Sequence, residues 1–389
     1  MKTILATTLI LATLTTGLAS AETRSDTLQR DADALLAQGA PGVLVELDTP
    51  HGERKVRSGY GDVDDRTPVP WQARFRIGSY TKTFVTATLL QLVGEHRLSL
   101  EDTVERWLPG VVSGNGNDGS KITIRQLLQH TSGLPNYVEQ MPWLFEQDSF
   151  EQTRFRTTTP KEMIALAMSQ PPNFAPGTDW AYSNTNFLLA GMVIESVTGH
   201  SWRHEVTARI IRPLGLRDTY LPGENPHVPG PHATGYKRFP EPGTDPQNPT
   251  FLPPIDVTEL NPSWAGAAGE IISTTADGNH FLRALLGGRV LKPAQLAEMK
   301  KTVPAKAFEF MWPGVRYGLG LMWMPNSCGG MWFHGGDIHG FRTRNGATED
   351  GRRSVVVSFN TETMIPNPGT PPATGDPANP LIEHALCGK

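Results

Sequence analysis

Ser79 and Lys82 place a hydroxyl nucleophile and an amine base three residues apart in the segment Ser79-Tyr80-Thr81-Lys82. An extended run ending at Gly78 precedes the segment, and the apolar run 83–93 that follows predicts a buried helix starting at Ser79. Residues i and i+3 share a helix face, so Lys82 would lie beside the Ser79 hydroxyl. The free N–H groups of a helix N-terminus would also suit an oxyanion. A capped structural helix would satisfy the same spacing, so a catalytic interpretation needs further residues.

Two later segments carry side chains that could complete such a site. Tyr182-Ser183-Asn184 follows a loop and precedes a predicted helix, so a phenol and an amide can face a common cleft. The alternative is an ordinary helix N-cap. His334-Gly335-Gly336-Asp337 lies on a strand-like segment, where glycines would let another backbone approach closely. The alternative there is a bulge at a sheet edge.

The elements that must position these residues are strands near the start of the chain, strands near its end, and helices that lie mostly between them. A strand hairpin is predicted over 42–60, and strands return at 317–324, 330–334, 340–347 and 354–360. Helices are predicted at 26–37, 124–130, 160–168, 184–198, 275–286 and 381–386, with a proline-rich loop over 365–380. The simplest arrangement is an α/β fold in which both chain ends build one antiparallel sheet, flanked by helices, with an all-helical lobe inserted.

The chain is expected to form a single catalytic domain over 22–389. Its sheet lobe would comprise about 22–90 and 290–389, and its helical lobe about 91–289. Ser79 lies at the junction of the two lobes, where pockets commonly form.

The N-terminus predicts export. Residues 1–21 combine one lysine, an apolar run and an Ala-Ser-Ala end, which is typical of a secretory signal peptide cut after Ala21. No later segment is apolar enough to span a bilayer, so no integral membrane segment is expected after cleavage. Cys328 and Cys387 would then lie in an oxidising compartment, and one disulfide is expected.

Charge and ligand-type residues exclude several functions. The formal net charge is −4 and no run of Lys and Arg stands out, which argues against a nucleic-acid partner. His200 and His204 are spaced i, i+4, but no third metal ligand is evident, so neither a metal nor a cofactor is predicted. The oligomeric state is left open.

The ordered set Ser-x-x-Lys, Tyr-x-Asn and His-x-Gly resembles the penicillin-recognising serine hydrolases, the superfamily of β-lactamases and D-alanyl-D-alanine carboxypeptidases. The resemblance is closest to secreted carboxypeptidases with a His-x-Gly third motif, and the two cysteines fit that subgroup. It extends over nearly the whole chain beyond 21, including 75–82, 127–134, 264–277 and 317–320. It implies a β-lactamase/transpeptidase-like fold.

The resemblance also implies a role for each motif residue. Ser79 would form the acyl-enzyme, with either Lys82 or Tyr182 as base, and Asn184 would hydrogen-bond Lys82 or the substrate. His334 would serve as the third-motif cation. The backbone N–H groups of Ser79 and Asp337 would form the oxyanion hole. Further substrate contacts are expected from the side chain or backbone of Trp264, Gly335, Gly336 and Asp337.

The third motif departs from the carboxypeptidase pattern. Carboxypeptidases carry hydroxyl residues where this chain has Gly335 and Asp337, and Met322 stands where they have an arginine. We therefore expect weak recognition of a terminal carboxylate, unless Arg342 or Arg344 rebuilds a cation site.

The sequence thus predicts a secreted serine hydrolase that acts on a small peptide, ester or β-lactam. A D-alanyl-D-alanine carboxypeptidase-type or D-specific peptidase is favoured, and an esterase or a weak β-lactamase of the same fold is the alternative. A non-catalytic receptor with this fold is disfavoured by the presence of Ser79, Lys82 and Tyr182 together. A Ser-His-Asp hydrolase is disfavoured because the sequence has no Gly-x-Ser-x-Gly elbow.

Overall fold

The computed structural model describes residues 27–245 and 247–388. The expected signal peptide therefore lies outside the described residues. Among those that are described, no helix has the length and apolar character needed to cross a membrane.

The secondary structure alternates short strands with helices. The strands are β1 (Gly42–Thr49), β2 (Gly52–Gly59), β3 (Phe75–Arg76), β4 (Ser113–Gly114), β5 (Asn117–Asp118), β6 (Tyr236–Lys237), β7 (Ile255–Asp256), β8 (Ile272–Ser273), β9 (Val303–Pro304), β10 (Arg316–Tyr317), β11 (Met322–Met324), β12 (Met331–Phe333), β13 (Gly336–Ile338), β14 (Phe341–Ala347) and β15 (Ser354–Phe359). The helices are α1 (27–37), α2 (Thr81–Gly94), α3 (Val104–Trp107), α4 (Ile124–Gln129), α5 (Gln147–Thr153), α6 (Pro160–Met168), α7 (Thr185–Thr198), α8 (Trp202–Val206), α9 (Arg212–Leu214), α10 (Gly266–Gly269), α11 (Thr275–Leu286), α12 (Pro293–Met299) and α13 (Asn379–Cys387).

Both ends of the described chain contribute to one antiparallel sheet. Its strand order is β2-β1-β15-β14-β12-β11-β10-β9, and β13 pairs with β14 beyond this path. The register pairs Val45 of β1 with Val357 of β15, so the first strand and the last lie side by side, second and third from one edge of the sheet. This confirms the predicted antiparallel sheet and the α/β class.

The alternation of side chains along β15 explains the layers on either side of the sheet. Val355 and Val357 pack into one core cluster with α1 and α13, whereas Val356 joins the other cluster, which contains α2 and α11. Successive strand residues point to opposite faces, so three consecutive buried valines require helices on both sides.

Helix α11 belongs to the sheet rather than to the inserted lobe. Its Thr275 hydroxyl donates to Glu46 of β1 at 2.6 Å, its Asn279 amide donates to the Glu46 backbone carbonyl at 2.8 Å, and Arg283 pairs with Asp48. The inserted segment is also not all-helical as expected, because it contains the two-stranded pairs β4–β5 and β6–β7.

Two predicted elements shift in position. The helix predicted from Ser79 begins at Thr81, and Ser79 lies in the 3-10 turn Gly78–Tyr80 just before it. The strand predicted over 317–324 is split into β10 and β11, because Gly320 has a φ of +59° and its N–H donates to the carbonyl of Leu128.

A disulfide joins Cys328 to Cys387, with their Cα atoms 5.5 Å apart. It links the turn between β11 and β12 to the last residue of α13. The predicted disulfide is confirmed.

Candidate active site

Ser79 and Lys82 meet at the junction of the sheet and the helical segment. Ser79 lies in the turn that Gly78 begins with a φ of +53°, and Lys82 lies one helical turn later on α2. The Lys82 Nζ is 2.9 Å from the Ser79 Oγ, as the i, i+3 spacing predicts. Burial of α2 leaves Lys82 without solvent exposure while Ser79 stays partly accessible.

The surroundings of Lys82 favour its uncharged form. Besides Ser79, Nζ contacts the side-chain oxygen of Asn184 at 2.8 Å and the carbonyl oxygen of Ala268 at 2.7 Å. None of these partners is negatively charged, and burial holds the pKa of Lys82 well below its ordinary value. A neutral amine that donates its two hydrogens to Asn184 and Ala268 keeps its lone pair for the Ser79 hydroxyl. This is the arrangement that a general base needs.

Tyr182 lies beside both Ser79 and Lys82. Its hydroxyl is hydrogen-bonded to Ser79, and the Lys82 Nζ is 4.8 Å from the centre of its ring. Burial raises the pKa of Tyr182, and the nearby Asp337 carboxylate raises it further, although the Ser79 hydrogen bond acts in the opposite direction. Tyr182 is therefore a neutral phenol at ordinary pH, able to relay or donate a proton.

The Asn184 side chain hydrogen-bonds Lys82 and does not cap helix α7. It is the N-cap residue of α7, yet its side chain makes no capping hydrogen bond. Its oxygen instead accepts from Lys82, while its backbone N–H donates to Asn136 Oδ1 at 3.1 Å. The capping alternative therefore does not describe this residue.

Strand β13 lies directly against the Ser79 turn. A Cβ added at Gly336 would overlap the carbonyl oxygen of Ile77 and lie 2.8 Å from the Ser79 nitrogen, and one added at Gly78 would lie 2.9 Å from the Asp337 nitrogen. Glycine at 336 is thus required by close backbone approach. The backbone nitrogens of Ser79 and Asp337 accordingly lie on facing segments, as an oxyanion hole requires.

His334 is close to the site but is not a cation. Its Nδ1 donates to the Gly335 carbonyl at 2.7 Å, and its Nε2, 2.9 Å from the Tyr317 hydroxyl, accepts from it. Burial lowers the pKa of His334 to about 3, and only 1% of the residue is exposed. The expected third-motif cation is therefore a neutral imidazole whose contact is Tyr317 rather than Tyr182.

Asp337 forms salt bridges with the two arginines that could have bound a substrate carboxylate. The two-residue turn His339-Gly340 places Asp337 directly opposite Arg342 on β14 and diagonal to Arg344. Arg342 Nε is 3.1 Å from Asp337 Oδ1, and Arg344 Nη1 is 2.9 Å from the same oxygen. Neither arginine forms the cation site considered above, because both are paired. Met322 is buried opposite Phe333 and supplies no charge.

The Trp264 side chain is largely buried. It is 8% exposed and packs between Trp143 and His339, and its carbonyl accepts from the Tyr137 hydroxyl at 2.6 Å. Its side chain leaves little surface for the substrate contact that was expected.

One cluster outside the site has the composition of a metal site. Ligand atoms of His200, His204 and Glu205 lie within 4.8 Å of one another, so Glu205 is a third candidate that the sequence spacing did not reveal. Its carboxylate already accepts from Arg209 Nε at 2.5 Å, which competes with a metal for it.

Sequence reasoning missed the residues that support Tyr182 and Lys82. His130 is fully buried, with its ring 4.3 Å from that of Tyr182, and its Nδ1 accepts from the Ser183 N–H at 3.2 Å. Its φ of +62° ends α4, an unusual conformation that no sequence signal announced. The Ala268 carbonyl could not be found from sequence, since any residue carries one.

The comparisons with known proteins agree with this geometry. The family profile described as Beta-lactamase matches residues 26–372, which is most of the chain. The chain belongs to the beta-lactamase family. Members of this family with this fold are serine hydrolases, which agrees with the arrangement of Ser79 and Lys82.

Two solved structures of this fold are similar over almost their whole length. A D-stereospecific amidohydrolase from Streptomyces sp. is 41% identical, covers 94% of this chain and 99% of its own, and superposes with a TM-score of 0.82. The D-amino acid amidase of Ochrobactrum anthropi SV3, in complex with D-phenylalanine, is 28% identical, covers 93% and 98%, and gives 0.78.

A curated relative is similar over a shorter stretch. Penicillin-binding protein 4* of Bacillus subtilis is 29% identical over 236 residues, which is 58% of this chain and 48% of that protein. The chain spans about half the length of the curated relatives that it matches.

Proposed function

We propose that this beta-lactamase family member is a serine amidohydrolase that cleaves amide bonds of D-amino-acid derivatives through an acyl-enzyme on Ser79. The observation that carries the proposal is the 2.9 Å contact between Ser79 Oγ and the Nζ of the fully buried Lys82, whose pKa burial holds well below its ordinary value. The preference for D-configured substrates rests on the amidohydrolase and amidase relatives that share the fold over nearly their full length.

The proposed acylation begins with transfer of the Ser79 proton to the Lys82 lone pair. The Ser79 oxygen attacks the amide carbonyl, and the resulting oxyanion accepts from the N–H groups of Ser79 and Asp337. Tyr182, hydrogen-bonded to Ser79, gives its proton to the leaving nitrogen and regains one from Lys82. Water then attacks the ester and releases the acid and the Ser79 hydroxyl. Lys82 rather than Tyr182 is the base in this proposal, because the burial that lowers the pKa of an amine raises that of a phenol.

A leaving group without a terminal carboxylate suits this site better than one that carries a free C-terminal carboxylate. The guanidinium groups beside the oxyanion donor are both paired with Asp337. A D-alanyl-D-alanine carboxypeptidase activity, suggested by the penicillin-binding relative, is the competing outcome.

We further propose that the protein is exported. The Cys328–Cys387 disulfide supports an oxidising compartment. N-terminal sequencing of the protein from culture medium or periplasm should begin at Glu22, and a chain that keeps residues 1–21 and stays in the cytoplasm would contradict export.

Steady-state kinetics on paired substrates tests the proposed function. The panel comprises D- and L-phenylalanine amide, D-alanyl-D-alanine, a short-chain p-nitrophenyl ester and a chromogenic cephalosporin, with Ser79→Ala as the matched control. We expect kcat/KM to be highest for D-phenylalanine amide and to be lost in Ser79→Ala. Higher kcat/KM for the dipeptide acid, the ester or the cephalosporin would instead identify a carboxypeptidase, an esterase or a β-lactamase. Absence of turnover together with absence of Ser79 labelling would favour a non-catalytic protein.

A further inference from the structure

Four charged side chains form a closed group beside the oxyanion donor. Asp337 Oδ1 accepts from Arg342 Nε at 3.1 Å and from Arg344 Nη1 at 2.9 Å, and Asp337 Oδ2 accepts from Arg344 Nη2 at 3.2 Å. Arg344 Nε also donates to Asp376 Oδ2 at 2.5 Å. Two carboxylates thus balance two guanidinium groups.

The group is buried on one side and open on the other. Arg344 and Asp376 side chains are each 3% exposed, whereas 42% of the Asp337 side chain is exposed. Burial alone would lower the pKa of Arg344, but Asp337 and Asp376 hold it above its ordinary value. The group adjoins the catalytic residues, because the Asp337 backbone lies against the Gly78–Ser79 turn and the Asp337 carboxylate raises the pKa of Tyr182.

The two arginines depend on Asp337 to different degrees. Without the Asp337 carboxylate, Arg344 would keep Asp376 as a charged partner. Among the described residues, the hydrogen-bond acceptors left to Arg342 would both be neutral, the Glu362 carbonyl at 2.8 Å and the Met364 sulfur at 3.4 Å, with the Asp376 charge acting on it without a hydrogen bond. Removal of the Asp337 carboxylate therefore exposes a positive charge, mainly that of Arg342, which lies directly across the strand pair from the oxyanion donor.

We infer that Asp337 determines substrate specificity by covering a latent carboxylate-binding site made of Arg342 and Arg344. This inference rests on the proposed amidohydrolase function and names its substrate class: acyl donors whose leaving group carries no terminal carboxylate. A substrate with a free carboxylate meets the Asp337 anion instead of the guanidinium groups. An uncharged leaving group meets no such repulsion, and the remaining Oδ2 lone pair can accept one of its N–H groups.

The test compares two substrates that differ only in terminal charge. D-phenylalanyl-glycine and D-phenylalanyl-glycinamide are cleaved at the same bond, so the release of D-phenylalanine reports both. The variants are Asp337→Asn, which keeps the shape of the side chain and removes its charge, and Asp337→Asn with Arg342→Gln. Asp65→Asn, in the exposed loop after β2, makes the same charge change elsewhere.

We expect the wild type to prefer the glycinamide substrate. In Asp337→Asn the ratio of kcat/KM values, acid over amide, should rise at least about tenfold, which corresponds to about 1.4 kcal/mol. The double variant should lose most of this gain, and Asp65→Asn should show none. An unchanged ratio in Asp337→Asn, or an equal rise in Asp65→Asn, would overturn the inference.

A binding measurement separates this inference from the proposed function. In a Ser79→Ala background, titration calorimetry with D-phenylalanyl-glycine should show about tenfold tighter binding when Asp337→Asn is added, and a smaller change with the glycinamide. If the wild type turns over neither D-phenylalanine amide nor the dipeptides but this shift appears, the proposed function fails and the inference stands. If turnover is normal but neither the acid-over-amide ratio of kcat/KM nor the binding affinity for the acid shifts in Asp337→Asn, the inference alone fails.

Discussion

Gly336→Ala tests whether the close approach of β13 to the Ser79 turn creates the oxyanion hole. The added Cβ would overlap the Ile77 carbonyl oxygen and lie 2.8 Å from the Ser79 nitrogen. Because both neighbours are backbone atoms, the strand itself must move away from the turn. That movement would pull the Asp337 N–H from the position where it can donate to an oxyanion on Ser79.

The magnitude follows from the loss of one oxyanion donor, which costs about 10²–10³-fold in kcat, or about 3–4 kcal/mol of transition-state stabilisation. The packing strain should separately lower the free energy of unfolding by about 1–3 kcal/mol. Gly335→Ala is the matched control, because its Cβ would meet Arg344 Nη1 and the Thr343 carbonyl only at 3.3 Å. We expect a smaller loss in this variant.

The assay is hydrolysis of a p-nitrophenyl ester, which reports the Ser79 machinery without depending on the choice of amide. Circular dichroism melting run in parallel shows which fraction of each variant is folded. Folded Gly336→Ala with kcat within threefold of the wild type would refute the account of the oxyanion hole. Equal losses in the two alanine variants would refute it as well, since the argument depends on the difference between the two glycines.

Three further predictions concern the base, the neutral histidine and the disulfide. Lys82→Met should reduce ester hydrolysis by about 10²–10⁴-fold. In the wild type, the acylation rate should fall as the pH decreases through the lowered pKa of Lys82. An acylation rate that does not depend on pH would contradict an amine base. Burial lowers the pKa of His334 from 6.5 to about 3, so between these values the unfolded chain binds a proton that the native protein does not. Stability should therefore decrease by up to about 1.4 kcal/mol per pH unit as the pH falls below 6.5. Urea unfolding at about pH 5 and pH 7.5 should show a flatter dependence in His334→Asn, and an identical dependence would show that His334 is charged in the native state. Replacing Cys328 and Cys387 by serine should lower the free energy of unfolding by about 2–4 kcal/mol, and an unchanged urea midpoint would contradict that estimate.

The sequence predicted the parts of the site that local geometry sets. The Ser79–Lys82 contact follows from helical spacing, and hydrophobic alternation predicted β1, β2, β14 and β15 within one or two residues. The glycine at 336 was also recognised as a place where another backbone could approach, although that backbone is the Ser79 turn.

What the sequence could not predict depends on partners distant along the chain. The pKa of Lys82 is lowered by burial, and its Nζ contacts the Ala268 carbonyl, which lies 186 residues away along the chain. His334 was expected to be a cation, but burial beside the Tyr317 hydroxyl keeps it neutral.

The pairing of Asp337 with Arg342 could have been predicted from the sequence, whereas that of Arg344 with Asp376 could not. His339-Gly340 is a two-residue hairpin turn with a glycine at φ +84°, and once it is recognised, the register that sets Asp337 opposite Arg342 follows. The second carboxylate, Asp376, arrives from the proline-rich loop, and no pattern in that segment predicts the contact.

The central claim is that Ser79 becomes acylated with Lys82 as its base. Intact-protein mass spectrometry after treatment with a fluorophosphonate, followed by peptide mapping, tests it most directly. We predict a single adduct on Ser79 in the wild type, slower formation of the same adduct in Lys82→Met, and no adduct in Ser79→Ala. An adduct on another residue, or equal rates in the wild type and Lys82→Met, would contradict the claim.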